Sequence, residues 1–127
     1  MESDAPTPSQ KTILVVDDDS GVRTVAREML LRAGYRVLEA HGCSDAVLIY
    51  EKEKDSIDLV LTDIVMPKMS GRDLANILLA GAPNLKIIFM SGYTDKAPIQ
   101  PGKNAAFLHK PFRAEDLINI VGNALQG

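Results

Sequence analysis

Residues 12–19 read TILVVDDD, and how that stretch begins and ends decides the fold. Thr12 to Val16 is a continuous apolar, β-branched run of the kind found in strands buried on both faces of a parallel sheet. It passes directly into Asp17, Asp18 and Asp19. Beyond them, Val22, Val25, Ala26, Met29, Leu30 and Ala33 recur at steps of three and four, the spacing of one helix face. Ser20 or Asp19 can cap the start of that helix, and Gly34 can end it in the left-handed conformation.

The same alternation continues to the end of the chain. Tyr35 to Ala40 reads as a second strand. Ser44 can cap a second helix running through Ala46, Val47 and Tyr50 into the charged run EKEKD. Leu59 to Leu61 forms a third strand, and Gly71 to Leu79 a short helix with Leu74, Ile77 and Leu78 inward. Lys86 to Met90 and Ala106 to His109 are the fourth and fifth strands, and Leu117, Val121, Ala124 and Leu125 mark a last helix. Strands alternating with helices build βαβ units. The expected class is α/β: a doubly wound five-stranded parallel sheet, flavodoxin-like, in the order 2-1-3-4-5. Periodicity does not dictate that order; it is the prior for this topology. Between the fourth and fifth strands, Pro98, Pro101 and Gly102 stand where another helix belongs. That helix is expected to be short or degenerate.

At 127 residues the chain has the size of one domain, able to bury roughly two thirds of its unfolded surface in a single core. Residues 1–10, MESDAPTPSQ, read as a flexible tail or linker, leaving 11–127 as the domain. That opening stretch lacks the apolar core of a signal peptide, and no apolar run approaches the roughly 20 residues of a membrane span. The formal net charge is -3 and the basic residues are scattered, which argues against direct nucleic-acid binding. One cysteine, Cys43, permits no intramolecular disulfide and suits a cytoplasmic setting.

In open α/β sheets, ligands bind beyond the carboxyl ends of the strands. Those ends carry Asp17 and Asp18, then Thr62 and Asp63, then Ser91 and Gly92, then Lys110 and Pro111. Singly, each has an ordinary structural explanation. Asp19 reads as a helix cap, Ser91-Gly92 as a turn dipeptide, Lys110 as a solvated strand end. Together, at adjacent strand ends, they gather two or three carboxylates, a hydroxyl and an ammonium. Carboxylates about 4 Å apart repel by roughly 4 kcal/mol at an effective dielectric of 20. A hard divalent cation and Lys110 would compensate, with oxygen ligands selecting magnesium, calcium or manganese. Such a set suits phosphoryl chemistry with a carboxylate nucleophile.

The strings ILVVDDD, LVLTDIVMPKMSG, IIFMSGYTD and FLHKPF resemble, in order and separation, the motifs of response-regulator receiver domains of two-component systems. The likeness runs from about Lys11 to Leu125, and SGYTD followed by a shortened segment and FLHKPF is most similar to the C-terminal receivers of hybrid sensor histidine kinases. The resemblance implies that Asp63 accepts a phosphoryl group from a phosphohistidine in a Mg2+-dependent reaction. It further implies that Asp17, Asp18, Asp63 and the Val65 carbonyl serve the metal, and that Lys110 pairs with Asp63 and then with the phosphoryl group. Ser91 takes the switch hydroxyl position and Phe107 the switch aromatic position. The Lys110-Pro111 bond corresponds to a cis peptide in the family. The implied partner is a sensor histidine kinase or a histidine phosphotransfer domain, the implied state a monomer or weak dimer without membrane contact. The domain would act on its own aspartate only and so not be an enzyme in the usual sense. Two rivals are an adaptor that keeps the fold but is never phosphorylated, and a phosphatase or phosphotransferase with an aspartyl nucleophile. The first predicts loss of an acceptor, metal or lysine position, and none is lost. The second needs a cap or inserted domain for which the chain has no spare length.

Overall fold

The computed structural model describes residues 10–92 and 105–126. The strands are β1 (Thr12–Val16), β2 (Arg36–Ala40), β3 (Ile57–Asp63), β4 (Lys86–Ser91) and β5 (Ala105–His109). The helices are α1 (Ser20–Arg32), α2 (Cys43–Glu53), α3 (Gly71–Gly81) and α4 (Ala114–Gln126). All strand pairings are parallel, in the order β2-β1-β3-β4-β5. This is the expected order. The tail, except for Gln10, and the short helix expected near Pro98 and Pro101 lie outside the described residues.

Strand alternation divides the core into two layers. Leu14, Val16, Val60, Ile87 and Phe89 face one side and pack with Ala46 and Tyr50 of α2 and Leu74 and Leu78 of α3. Ile13, Val15, Leu59, Leu61, Ile88 and Met90 face the other, against Ala26 and Leu30 of α1 and Leu117 and Val121 of α4. Because successive side chains point to opposite faces, a central strand covered on both sides is apolar on both faces along most of its length. All five residues of β1 are buried.

Local chemistry sets the ends of α1. The Asp19 carboxylate accepts from the amides of Gly21 and Val22, and Gly34 follows the helix at φ +97, as a left-handed glycine cap requires. Several expectations are corrected. Val25 and Ile77 are 48% and 43% exposed, because the inward stripes run through Ala26 and Leu30 on α1 and through Leu74, Ala75 and Leu78 on α3. Ala33 is also exposed. Ser44 does not cap α2: the helix starts at Cys43, which is buried, with Gly42 as the capping residue. The Asp45 carboxylate instead accepts from the amide of His41. Tyr35 precedes β2, its amide still bonded to the Leu30 carbonyl at the end of α1. No helix among the described residues is long and apolar enough to cross a membrane.

Candidate phosphoryl and metal site

Sheet order brings the chemistry-bearing strand ends together. Val16 lies opposite Thr62 and Asp63 opposite Met90, so Asp17 and Asp63 leave neighbouring strands at the same edge. One oxygen from each of Asp17, Asp18 and Asp63 lies within 4.8 Å of the others. Asp17 and Asp63 are buried, while Asp18 is open to solvent. From the loop after β5, the Lys110 ammonium reaches Asp17 Oδ2 at 3.1 Å and Asp63 Oδ1 at 3.2 Å. The Lys110-Pro111 peptide is cis, as the resemblance implied.

Asp17 is held at every polar atom. Its amide donates to the Ala40 carbonyl at 3.2 Å, extending the β1–β2 ladder by one bond. Oδ1 accepts from the Asp19 amide at 2.9 Å and Oδ2 from Lys110. Its carbonyl accepts from Arg23 Nη1 at 2.6 Å. Asp63 is held differently. The Thr62 hydroxyl donates to its carbonyl at 3.0 Å, and the Ile64 amide donates to the Met90 carbonyl.

The electrostatics follow from this packing. Burial pushes the Asp63 carboxyl above the ordinary range, and the negative charge of Asp17 adds to that; Lys110 opposes both, and Asp18 raises it further. For Lys110, burial disfavours the ammonium, but its hydrogen bond to Asp17 and the charges of Asp17 and Asp63 outweigh that and leave its pKa raised. Three carboxylates therefore share one contacting ammonium among the described residues. The Asp63 carboxyl stays raised because burial, with the charge of Asp17 beside it, outweighs the ammonium of Lys110. A set made only of oxygen donors at this spacing fits a hard divalent cation. Cys43 stands apart: it is free and buried on α2, where desolvation, then the charge of Asp73, pushes its thiol up.

The other expected residues take peripheral places. Ser91 is buried at the end of β4, and its carbonyl accepts from the Lys110 amide at 2.8 Å. Val65 lies in the loop after β3 and is 60% exposed. Phe107 is half-buried on β5 and stacks on Phe89, with centroids 5.5 Å apart and planes at 27°. It belongs to the layer under α2 and α3.

Two residues that the sequence did not mark as part of the site shape it. Arg23 holds the Asp17 carbonyl. Gly71 opens α3 against the end of β3, where an added Cβ would overlap the Asp63 carbonyl oxygen. The signal for this helix start was present in Ser70 and Asp73, which form a reciprocal capping box.

Comparison with known proteins agrees with this geometry. A family model described as the response regulator receiver domain matches residues 13–122. The chain is 41% identical over 117 residues to the DNA-binding transcriptional regulator NtrC of Bradyrhizobium sp., covering 90% of this chain but 24% of that protein. It is 36% identical to the response regulator receiver protein CpdR of Brucella abortus, covering 91% and 97% of the two chains. Among solved structures, a response regulator receiver domain protein from Clostridium thermocellum superposes with a TM-score of 0.84 at 32% identity, covering 91% and 94%. The receiver domain of the hybrid histidine kinase CckA superposes at 0.79 with 30% identity, covering 91% and 99%.

Proposed function

The chain belongs to the response regulator receiver domain family, and from that premise we propose that it accepts a phosphoryl group on Asp63 and relays a signal through protein contacts. The observation that carries this reading is the Lys110 ammonium, 3.2 Å from Asp63 and 3.1 Å from Asp17 at the carboxyl edge of the sheet. A carboxylate nucleophile next to a fixed cation is the arrangement phosphoryl transfer needs, because catalysis there is mostly positioning and charge neutralisation.

The donor is a phosphohistidine on a sensor histidine kinase or a histidine phosphotransfer domain. An Asp63 carboxylate oxygen attacks phosphorus in line, the phosphorus–nitrogen bond breaks, and its electron pair returns to the imidazole. Lys110, already on Asp63, then pairs with a phosphoryl oxygen. The Ser91 hydroxyl donates to another. Water later attacks phosphorus, phosphate leaves, and the Asp63 carboxylate is restored, so the domain turns over only on itself. Asp17, Asp18, Asp63 and the Val65 carbonyl would hold magnesium. When bound, it would neutralise charge developing on the phosphoryl oxygens. Drawing Ser91 towards the phosphoryl group biases Phe107 inward and remodels the β4–β5 face that partners read. We assign the reaction to the cytoplasm, a setting that a single unpaired cysteine suits.

Incubation with acetyl phosphate and magnesium, followed by intact mass spectrometry, tests the assignment. The wild type should gain one phosphoryl group and Asp63→Asn none. A mutant that gained it at wild-type stoichiometry would remove Asp63 from the acceptor position.

A further inference from the structure

Asp17 presents its carboxylate from a three-residue turn between β1 and α1, and Asp18 lies in the same turn. One side chain outside the cluster grips that turn. Arg23, in the first turns of α1, donates from Nη1 to the Asp17 carbonyl at 2.6 Å and from Nε to Glu39 Oε1 at 3.3 Å. Glu39 stands on β2 and is also held through Oε2 by Arg27 Nη1 at 3.1 Å. The Arg23 and Glu39 side chains are 19% and 30% exposed, so water screens them only in part.

The chemistry of this contact is specific. A planar guanidinium offers donors in a fixed fork, and here one arm takes a main-chain carbonyl while another takes a carboxylate on the neighbouring strand. The fork ties the β1–α1 turn to β2 across the edge of the site. Glu39 and Glu28 together balance Arg23 and Arg27, so the clamp adds rigidity with little added positive charge beside a cation site. The remaining partners of Asp17 either lie in its own turn, belong to the sheet ladder, or are the ammonium that must move to a phosphoryl group. Arg23 alone among them is a side chain free of that duty.

We propose that Arg23, braced by Glu39, is a positioning residue that orients the Asp17–Asp18 turn and thereby sets the domain's affinity for its divalent cation. This rests on the reading of Asp17, Asp18 and Asp63 as the metal-holding set. Loss of a partner that orients a metal-holding group typically weakens metal binding by about 10- to 100-fold. Arg23→Ala falls in that range. Arg23→Lys, which keeps the positive charge but loses the planar fork, recovers part of it. Glu39→Gln, which loosens the brace without touching the turn, gives a smaller loss.

Magnesium binding to the folded full chain, measured by isothermal titration calorimetry well below each melting temperature, provides the test. The Asp19 amide resonance is followed in parallel, because that amide donates to Asp17 Oδ1. Asp58→Ala, remote from the turn, serves as a destabilised control with unchanged magnesium affinity. Expected results are a graded loss, Arg23→Ala beyond Arg23→Lys, with a shifted Asp19 amide in the metal-free state. Equal magnesium affinity in wild type, Arg23→Ala and Arg23→Lys overturns the inference while leaving the metal site intact. If Arg23→Ala fails to fold, Arg23→Lys and Glu39→Gln with wild-type affinity overturn it equally. A wild type that binds no magnesium overturns the inference together with the reading beneath it.

Discussion

Gly71→Ala should destabilise the domain although it replaces a helical glycine with the best helix former. Gly71 is the first residue of α3 and is buried. An added Cβ would overlap the Asp63 carbonyl oxygen and stand 3.0 Å from the Asp63 carbonyl carbon and 3.1 Å from Ile64 Cα. Ordinary contact begins near 3.4 Å, so the two carbons must retreat by about 0.3–0.4 Å and the oxygen by more. All three atoms are main chain, so no rotamer change relieves the overlap. Overpacking of this kind costs about 1–3 kcal/mol, against a helix-propensity gain of up to about 1 kcal/mol. A net loss of about 1 kcal/mol lowers the melting temperature of a 127-residue domain by about 4 °C. Gly122→Ala on α4 is the control, since a Cβ there meets nothing within 4 Å, and it should gain about 0.5–1 kcal/mol. Thermal melts by circular dichroism compare the two, and acetyl phosphate labelling of Gly71→Ala should be slowed because the end of β3, with Asp63, is displaced. A Gly71→Ala protein as stable as Gly122→Ala and labelled at the wild-type rate would refute the argument that the α3 start is packed on the backbone of β3.

The raised Asp63 pKa sets a pH dependence. The folded state holds that proton more tightly than the unfolded chain, so between the ordinary carboxylate value and the raised one stability falls as pH rises. In a chelator, urea denaturation of wild type and Asp63→Asn should therefore diverge in favour of the mutant as pH rises through that window; a gap that stays flat or narrows contradicts the sign. Asp58 offers a second case away from the site. The β1–β3 register steps from Thr12–Ile57 to Ile13–Leu59, and the skipped Asp58 accepts from the Thr12 amide at 2.8 Å. Asp58→Ala leaves that part-buried N–H without its partner and should cost about 1 kcal/mol by equilibrium denaturation, whereas a loss within error would mean the bulge is held by the ladder alone.

Much of this protein is legible along the chain. Apolar runs at β1, β3 and β4 announce a sheet covered on both faces, because the residues of those runs are shielded from water on either side. The turn residues at Asp19 and Gly34 mark the ends of α1 through their own local bonds and dihedral angles. The carboxylates, the hydroxyl and the lysine of the site stand next to strand ends, so the βαβ rule puts them on one edge of the sheet, and the prior for the strand order brings them together. What periodicity cannot see is which neighbour covers which face. It therefore placed Val25 and Ile77 inward, where the packing partners accept Ala26, Ala75 and their companions instead. Nor does it reveal contacts that exist only once the strands are ordered. Lys110 bridges Asp63 and also Asp17, a residue 93 positions away. Arg23 reaches back to the Asp17 carbonyl while braced on β2, and Gly71 owes its identity to the backbone of β3. Each of these depends on distances between separate elements, and sequence spacing carries information only about distances within one.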